Sequence, residues 1–165
     1  MINISGSGIS GKGYPELVVN GMFSAWTDDD PDGWTDEGEE PGVKEISEVG
    51  DGEGYGGSGK GCCNFYSNAP DVTIAMLNAV SITTLIVGRT YRVSVRVVRM
   101  VNGGLDGLYF YEYNHTQWET KILALEKIYT WTFVATHTDM RIRIRNKTVA
   151  ANVTIDNVSV KLEAA

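Results

Sequence analysis

The sequence is short of the side chains that most often carry chemistry. It has two histidines, His115 and His137, and they stand in no zinc-ligand spacing. It has no G-x-S-x-G nucleophile elbow and no phosphate-binding loop. Its carboxylates crowd one acidic region instead of standing singly on strands, where an acid/base pair is held rigidly. These absences argue against an enzyme. No stretch approaches the 18 apolar residues of a membrane span, so a membrane partner is not expected. The start, "MINISGSGISGKGYP", lacks the basic and apolar regions of a signal peptide, which speaks against export by the general secretory route on its own account.

Arginine is missing from the first 88 residues, and all seven arginines fall between Arg89 and Arg145. Residues 1–60 therefore carry a balance of −10 and residues 61–165 one of +3, within a net charge of −7. An acidic chain lacks the basic face that a nucleic-acid binder needs for counterion release. Two unlike charge zones instead suit head-to-tail self-association or docking on a charged partner. Cysteine is scarce too: Cys62 and Cys63 are adjacent. Neighbours on a strand point to opposite faces. One core thiol and one near the surface are expected, with an intermolecular disulfide as the sharper alternative.

What is present reads as one all-β domain. A chain of 165 residues is long enough to bury roughly 68–70% of its unfolded surface without disulfides. Residues 1–14 read as a flexible, extended N-terminal arm and residues 15–165 as a single β-sandwich. Residues 27–61 are acidic and end in "GDGEGYGGSGKG", the composition of a long Gly-rich surface loop, although "VKEISEV" inside it alternates like a short strand. From residue 62 onward strands follow one another. "YRVSVRV" sets Tyr91, Val93, Val95 and Val97 against Arg92, Ser94 and Arg96. "MRIRIRN" sets Met140, Ile142 and Ile144 against Arg141, Arg143 and Arg145. "GLYFYEYN", "YTWTFVAT" and "NVTIDNVSVKL" complete the set, and "KILALEKI" is the one helical candidate. Short strands between Gly, Asn and Asp turns form a sandwich or barrel.

Three motifs, in order, carry a family resemblance. "ELVVNGMFSAW…DGW" is similar to the N-G-x-F-E … G-W opening of carbohydrate-binding modules of families 4 and 9. "VGRTYRVSVRV" resembles their central strand, and "VTIDNVSVKL" their closing I-D-N-V-S-V strand. The resemblance spans residues 15 to 163 and implies a jelly-roll β-sandwich with its first and last strands adjacent. In those relatives acids of the opening motif and the last-strand aspartate help hold a structural calcium. Here Met22 and Ser24 replace the acids, while Asp156 is retained. Asn20, Gly21 and Asp156 are read as structural: a buried aspartate needs partners, and the Asn20-Gly21 backbone could supply them.

Two candidate sites follow. Tyr109, Tyr111 and Tyr113 share one face of a strand with Trp118 close behind, a platform on which sugar rings could stack. The plainer reading packs those tyrosines on one side of the sandwich with their hydroxyls in solvent. "DDDPDGWTDEGE" satisfies D-x-D-x-D-G-x5-E through Asp28, Asp30, Asp32 and Glu39, which makes calcium an optional ligand of that loop. No amphipathic helix flanks it, Pro31 lies within it, and a solvated acidic loop is the simpler account. The arginines at 141, 143 and 145 read as a solvated face, unless Arg92 and Arg96 join them as a docking surface for carboxylates or sulfated glycans. The expected function is non-catalytic. The first reading is a virion structural protein, a phage capsid decoration or tail accessory protein, with virion proteins or its own copies as partners. The alternative is an extracellular carbohydrate-binding module recognising a polysaccharide or host glycan.

Overall fold

The computed structural model describes residues 14–49, 61–68, 75–78, 82–103, 108–121, 127–146 and 151–163. Most of the N-terminal arm and the Gly-rich end of the acidic region lie outside the described residues. In chain order the strands are β1 (Trp26–Thr27), β2 (Asp30–Pro31), β3 (Trp34–Glu37), β4 (Lys44–Val49), β5 (Cys62–Ser67) and β6 (Ala75–Asn78). The remainder are β7 (Thr90–Gly103), β8 (Tyr109–Glu112), β9 (Glu119–Lys121), β10 (Ile128–Val134), β11 (Ile142–Arg145) and β12 (Ala151–Leu162). They form two five-stranded antiparallel sheets, ordered β10-β7-β12-β5-β4 and β3-β6-β11-β8-β9, with a small β1–β2 hairpin beside them. The protein is an all-β jelly-roll sandwich.

Side-chain alternation builds the core. Tyr91, Val93, Val95 and Val97 of β7 point inward with Val153, Ile155, Val158 and Val160 of β12. Met76, Phe110, Ile142 and Ile144 meet them from the second sheet. The Tyr91 hydroxyl accepts the Ile86 N–H at 2.9 Å, so its polar end is satisfied as its apolar ring is buried. Strict period two cannot place both halves of β12 inward. A bulge between Asp156 and Ser159, with Asn157 at φ 53°, inserts the residue that returns Val158 and Val160 to the core.

Beyond the end of β5 the chain start lies along β12. The Leu17 N–H donates to the Val160 carbonyl (3.1 Å), and the Val158 N–H donates to that of Gly21 (2.8 Å). The first and last segments are therefore adjacent.

Four expectations are corrected. The acidic region is not plain loop: besides β4, predicted from its alternation, it holds the β1–β2 hairpin and β3, which edges the second sheet through Trp34. Neither cysteine forms a disulfide and both are fully buried, so the outward side of Cys62 is covered as well. That removes the accessible thiol an intermolecular disulfide needs. "KILALEKI" begins in β9 and ends in β10, with residues 122–126 outside the described set, so its ends are extended instead of helical. Arg92 and Arg96 lie on β7 of the first sheet, away from the arginines of β11. Among the described residues no helix is long and apolar enough to cross a membrane.

Candidate functional site: a tyrosine and arginine face

The second sheet turns Phe110 and Glu112 inward, so Tyr109 and Tyr111 face outward. Their neighbours are set by register. Arg143 sits opposite Tyr111 on one side and Leu77 on the other, and Arg145 sits opposite Tyr109 and Ala75. Continuing across the sheet, one row reads Thr35, Leu77, Arg143, Tyr111, Glu119, and the next Glu37, Ala75, Arg145, Tyr109, Lys121. Directly opposed residues share a face, so the tyrosines and the arginines, far apart in sequence, form one surface.

Its centre is Tyr111. The guanidinium of Arg145 lies 4.8 Å from the ring centroid and that of Arg143 5.7 Å. Arg143 also lies 5.4 Å from the Tyr113 ring, which is 6.5 Å from Tyr111. These distances suit cation–π attraction. Arg143 forms an ion pair with Glu37, reached across β6, where Ala75 is small. Arg141, just before β11, donates from Nε to the Asn78 carbonyl at 3.1 Å. Burial raises the Tyr111 phenol above its ordinary value, while the two guanidiniums pull the other way.

Trp118 does not join this platform. It points between the sheets, packing edge-on against Trp131 (centroids 5.4 Å apart) and tilted on Phe133 (6.0 Å). It is partly buried and packs against the core.

Glu112 shapes the turn that follows the tyrosines. Its fully buried carboxylate accepts backbone N–H groups of Asn114 (2.8 Å), His115 (2.5 Å), Gln117 (3.4 Å) and Arg141 (3.4 Å). The turn stacks His115 on His137, centroids 3.8 Å apart, and brings His115 Nε2 within 3.2 Å of Asp139. That hydrogen bond holds the Asp139 carboxyl below its usual range.

The acidic set is gathered differently from its sequence pattern. Asp30 and Glu39 come together with Asp36, their carboxylate oxygens within 4.8 Å of one another. Asp36 points inward like Trp34, two residues before it. Asp32 instead accepts the Thr27 hydroxyl at 2.7 Å, and with Asp28 it lines a separate hollow containing Ser24, Trp26 and Glu48. The four-residue loop set is thus split by the β1–β2 hairpin. As carboxylates neither oxygen of Asp36 has a donor among the described residues, which a proton shared with Asp30 resolves. Burial first, then that pairing and the charge of Glu39, pushes the Asp36 carboxyl up to about 8.

Asn20 and Gly21 hold the opening of the chain together. The Asn20 amide donates to the carbonyls of Ala25 (2.8 Å) and Asp32 (2.9 Å), and its Oδ1 accepts the Ser24 N–H (3.0 Å). The Asn20 carbonyl accepts from the Trp34 indole at 3.2 Å. Asp156 is buried, and the Asn157 N–H donates to its Oδ1 at 2.6 Å. The Gly21 carbonyl meets β12 two residues beyond Asp156, at Val158. The pairing of Tyr111 with Arg143 and Arg145 was missed in the sequence. Each strand showed its face, but nothing in either showed that they are neighbours.

No protein-family model matches the sequence, and no curated protein matches it. Solved structures do share the fold. A family 4 carbohydrate-binding module superposes with a TM-score of 0.58 at 17% identity, covering 88% of this chain and 99% of that one. The module TmCBM61, solved with β-1,4-galactotriose, gives 0.60 at 11% identity over 90% of this chain and 99% of its own. The enzymatically active domain of tailspike protein 4 of bacteriophage CBA120 gives 0.64 at 12% identity. That match takes in 90% of this chain but only 21% of the tailspike chain. The fold is that of carbohydrate-binding modules.

Proposed function

We propose that this protein is a non-catalytic glycan-binding module that acts outside the cell, with the outer face of the second sheet as its binding surface. One observation carries the reading: Tyr109 and Tyr111 face outward beside Tyr113, and guanidiniums flank Tyr111 on the neighbouring strand. Rings supply the flat apolar area that a pyranose covers, and the adjacent charged and polar groups fix its orientation. The shared fold with modules such as the galactotriose-bound one supports it. The test is retention on a panel of polysaccharides. Tyr111→Ala should keep its thermal transition yet lose retention by about tenfold or more, since a buried aromatic contact is worth over 1 kcal/mol. Equal retention by parent and variant removes this face from binding.

A second reading places the same module on a phage particle, as a capsid decoration or tail accessory protein. The likeness to the tailspike domain and the opposed charge zones support it. Lattice attachment gains strength from many repeated contacts. Deleting residues 1–13 should then leave the folded core and abolish attachment to particles or self-assembly. Full attachment by the truncated protein rules that reading out.

A further inference from the structure

We propose that the ligand of the tyrosine and arginine face is an anionic glycan, a chain of hexuronate sugars with a carboxylate taken by Arg145 beside the Glu37-paired Arg143. The proposal rests on the glycan-binding reading and adds the charge of the ligand to it.

Cations already surround Tyr111. A neutral pyranose binds an aromatic residue by laying its C–H face on the ring. Here two guanidiniums already approach that ring, at 4.8 and 5.7 Å, and one of them also approaches Tyr113 at 5.4 Å. A ligand reaching this surface therefore meets cations together with π-faces.

The partners of those cations differ. Arg143 is paired with Glu37. Among the described residues Arg145 has no carboxylate partner, and its Nε–H, like that of Arg143, is buried without an acceptor. Elsewhere Arg92 has Glu163, and Arg141 donates to Asn78. A half-buried guanidinium short of a counter-charge has lost part of its hydration without replacement. A carboxylate offers the two oxygens that match its planar fork. The rows also set the spacing: Arg143 and Arg145 are two residues apart on one strand, roughly 7 Å, with a tyrosine beside each. That arrangement reads a chain carrying charge on its rings.

The composition of the chain sharpens this. The protein is acidic, at −7, yet Arg141, Arg143 and Arg145 concentrate just before and along the central strand of the second sheet. An acidic protein gains little general attraction for polyanions, so binding depends on the local array.

The experiment compares the parent, Arg145→Gln, Arg145→Lys and Arg92→Gln on polygalacturonate, a sulfated galactan, and neutral galactan and xylan. All four proteins are first checked for an unchanged thermal transition. The parent is expected to be retained on polygalacturonate, and about 0.5 M salt should weaken that retention through screening. Arg145→Gln should lose about tenfold or more, Arg145→Lys should recover part of it, and Arg92→Gln, in the other sheet, should match the parent. Salt-insensitive retention on a neutral polymer, unchanged in Arg145→Gln, overturns the anionic assignment and leaves the glycan reading standing. Retention on the sulfated polymer without polygalacturonate overturns the carboxylate. Retention on none of the four overturns both.

Discussion

Gly21 and Val158 lie in such close contact that a methyl group does not fit between them. The Val158 N–H donates to the Gly21 carbonyl at 2.8 Å, and a Cβ on Gly21 would stand 2.0 Å from the Val158 carbonyl oxygen. The obstacle is backbone on a bulged strand, which cannot swing aside as a side chain can. Gly21→Ala should therefore destabilise by about 1–3 kcal/mol, in the range of overpacking that forces the backbone to shift. A thermal melt checks it. A transition within a degree of the parent would mean that β12 yields freely at its bulge.

Glu112 predicts a second, larger loss. Four backbone N–H groups converge on its buried carboxylate and hold the turn that carries Tyr113. Removing it leaves partly buried donors unpaired, each costing up to about 1–3 kcal/mol where water does not enter. Glu112→Ala should lower stability by about 3 kcal/mol or more, and Glu112→Gln by less, since one acceptor oxygen remains. Chemical denaturation measures both. Equal stability of Ala and Gln variants would show that solvent already serves those donors.

Asp36 sets a dependence on pH. Its folded value of about 8 lies above the ordinary 3.8, so the folded protein keeps a proton that the unfolded chain releases. The native state then binds more protons between pH 4 and 8, and stability falls as pH rises through that window. Asp36→Asn should flatten the profile and melt higher than the parent at pH 9. After allowance for partial solvent screening, the gain is about 1–3 kcal/mol, or several degrees. Parallel profiles for the two proteins would refute the raised value. A calcium ion at this cluster would have to displace that proton from the same oxygens. Millimolar Ca²⁺ should raise the parent's melting temperature at pH 8 but not that of Asp36→Asn. Equal shifts, or none, exclude calcium from the Asp30, Asp36 and Glu39 cluster.

Much of the sandwich was legible strand by strand. Period two in "YRVSVRV" and "MRIRIRN" named the inward residues of β7 and β11, and the alternation of 43–49 named β4. It failed where local chemistry did not match tertiary position. The aspartates of 28–36 read as loop because a short edge strand needs only Trp34 buried to hold it. Cys62 was expected near the surface because alternation tells which way a side chain turns but not what covers it.

The sequence by itself determined which residues share a face within each strand, because successive side chains must alternate along extended backbone. It thereby placed the three tyrosines together and the three arginines together. Only the tertiary structure decided that β8 and β11 are neighbours, that Arg92 and Arg96 belong to the other sheet, and that Trp118 turns inward. Strand pairing joins segments some 30 residues apart through backbone hydrogen bonds, and those are nearly indifferent to side-chain identity. The partner of a strand is chosen by how the whole core closes, and that choice set Arg145 over Tyr111.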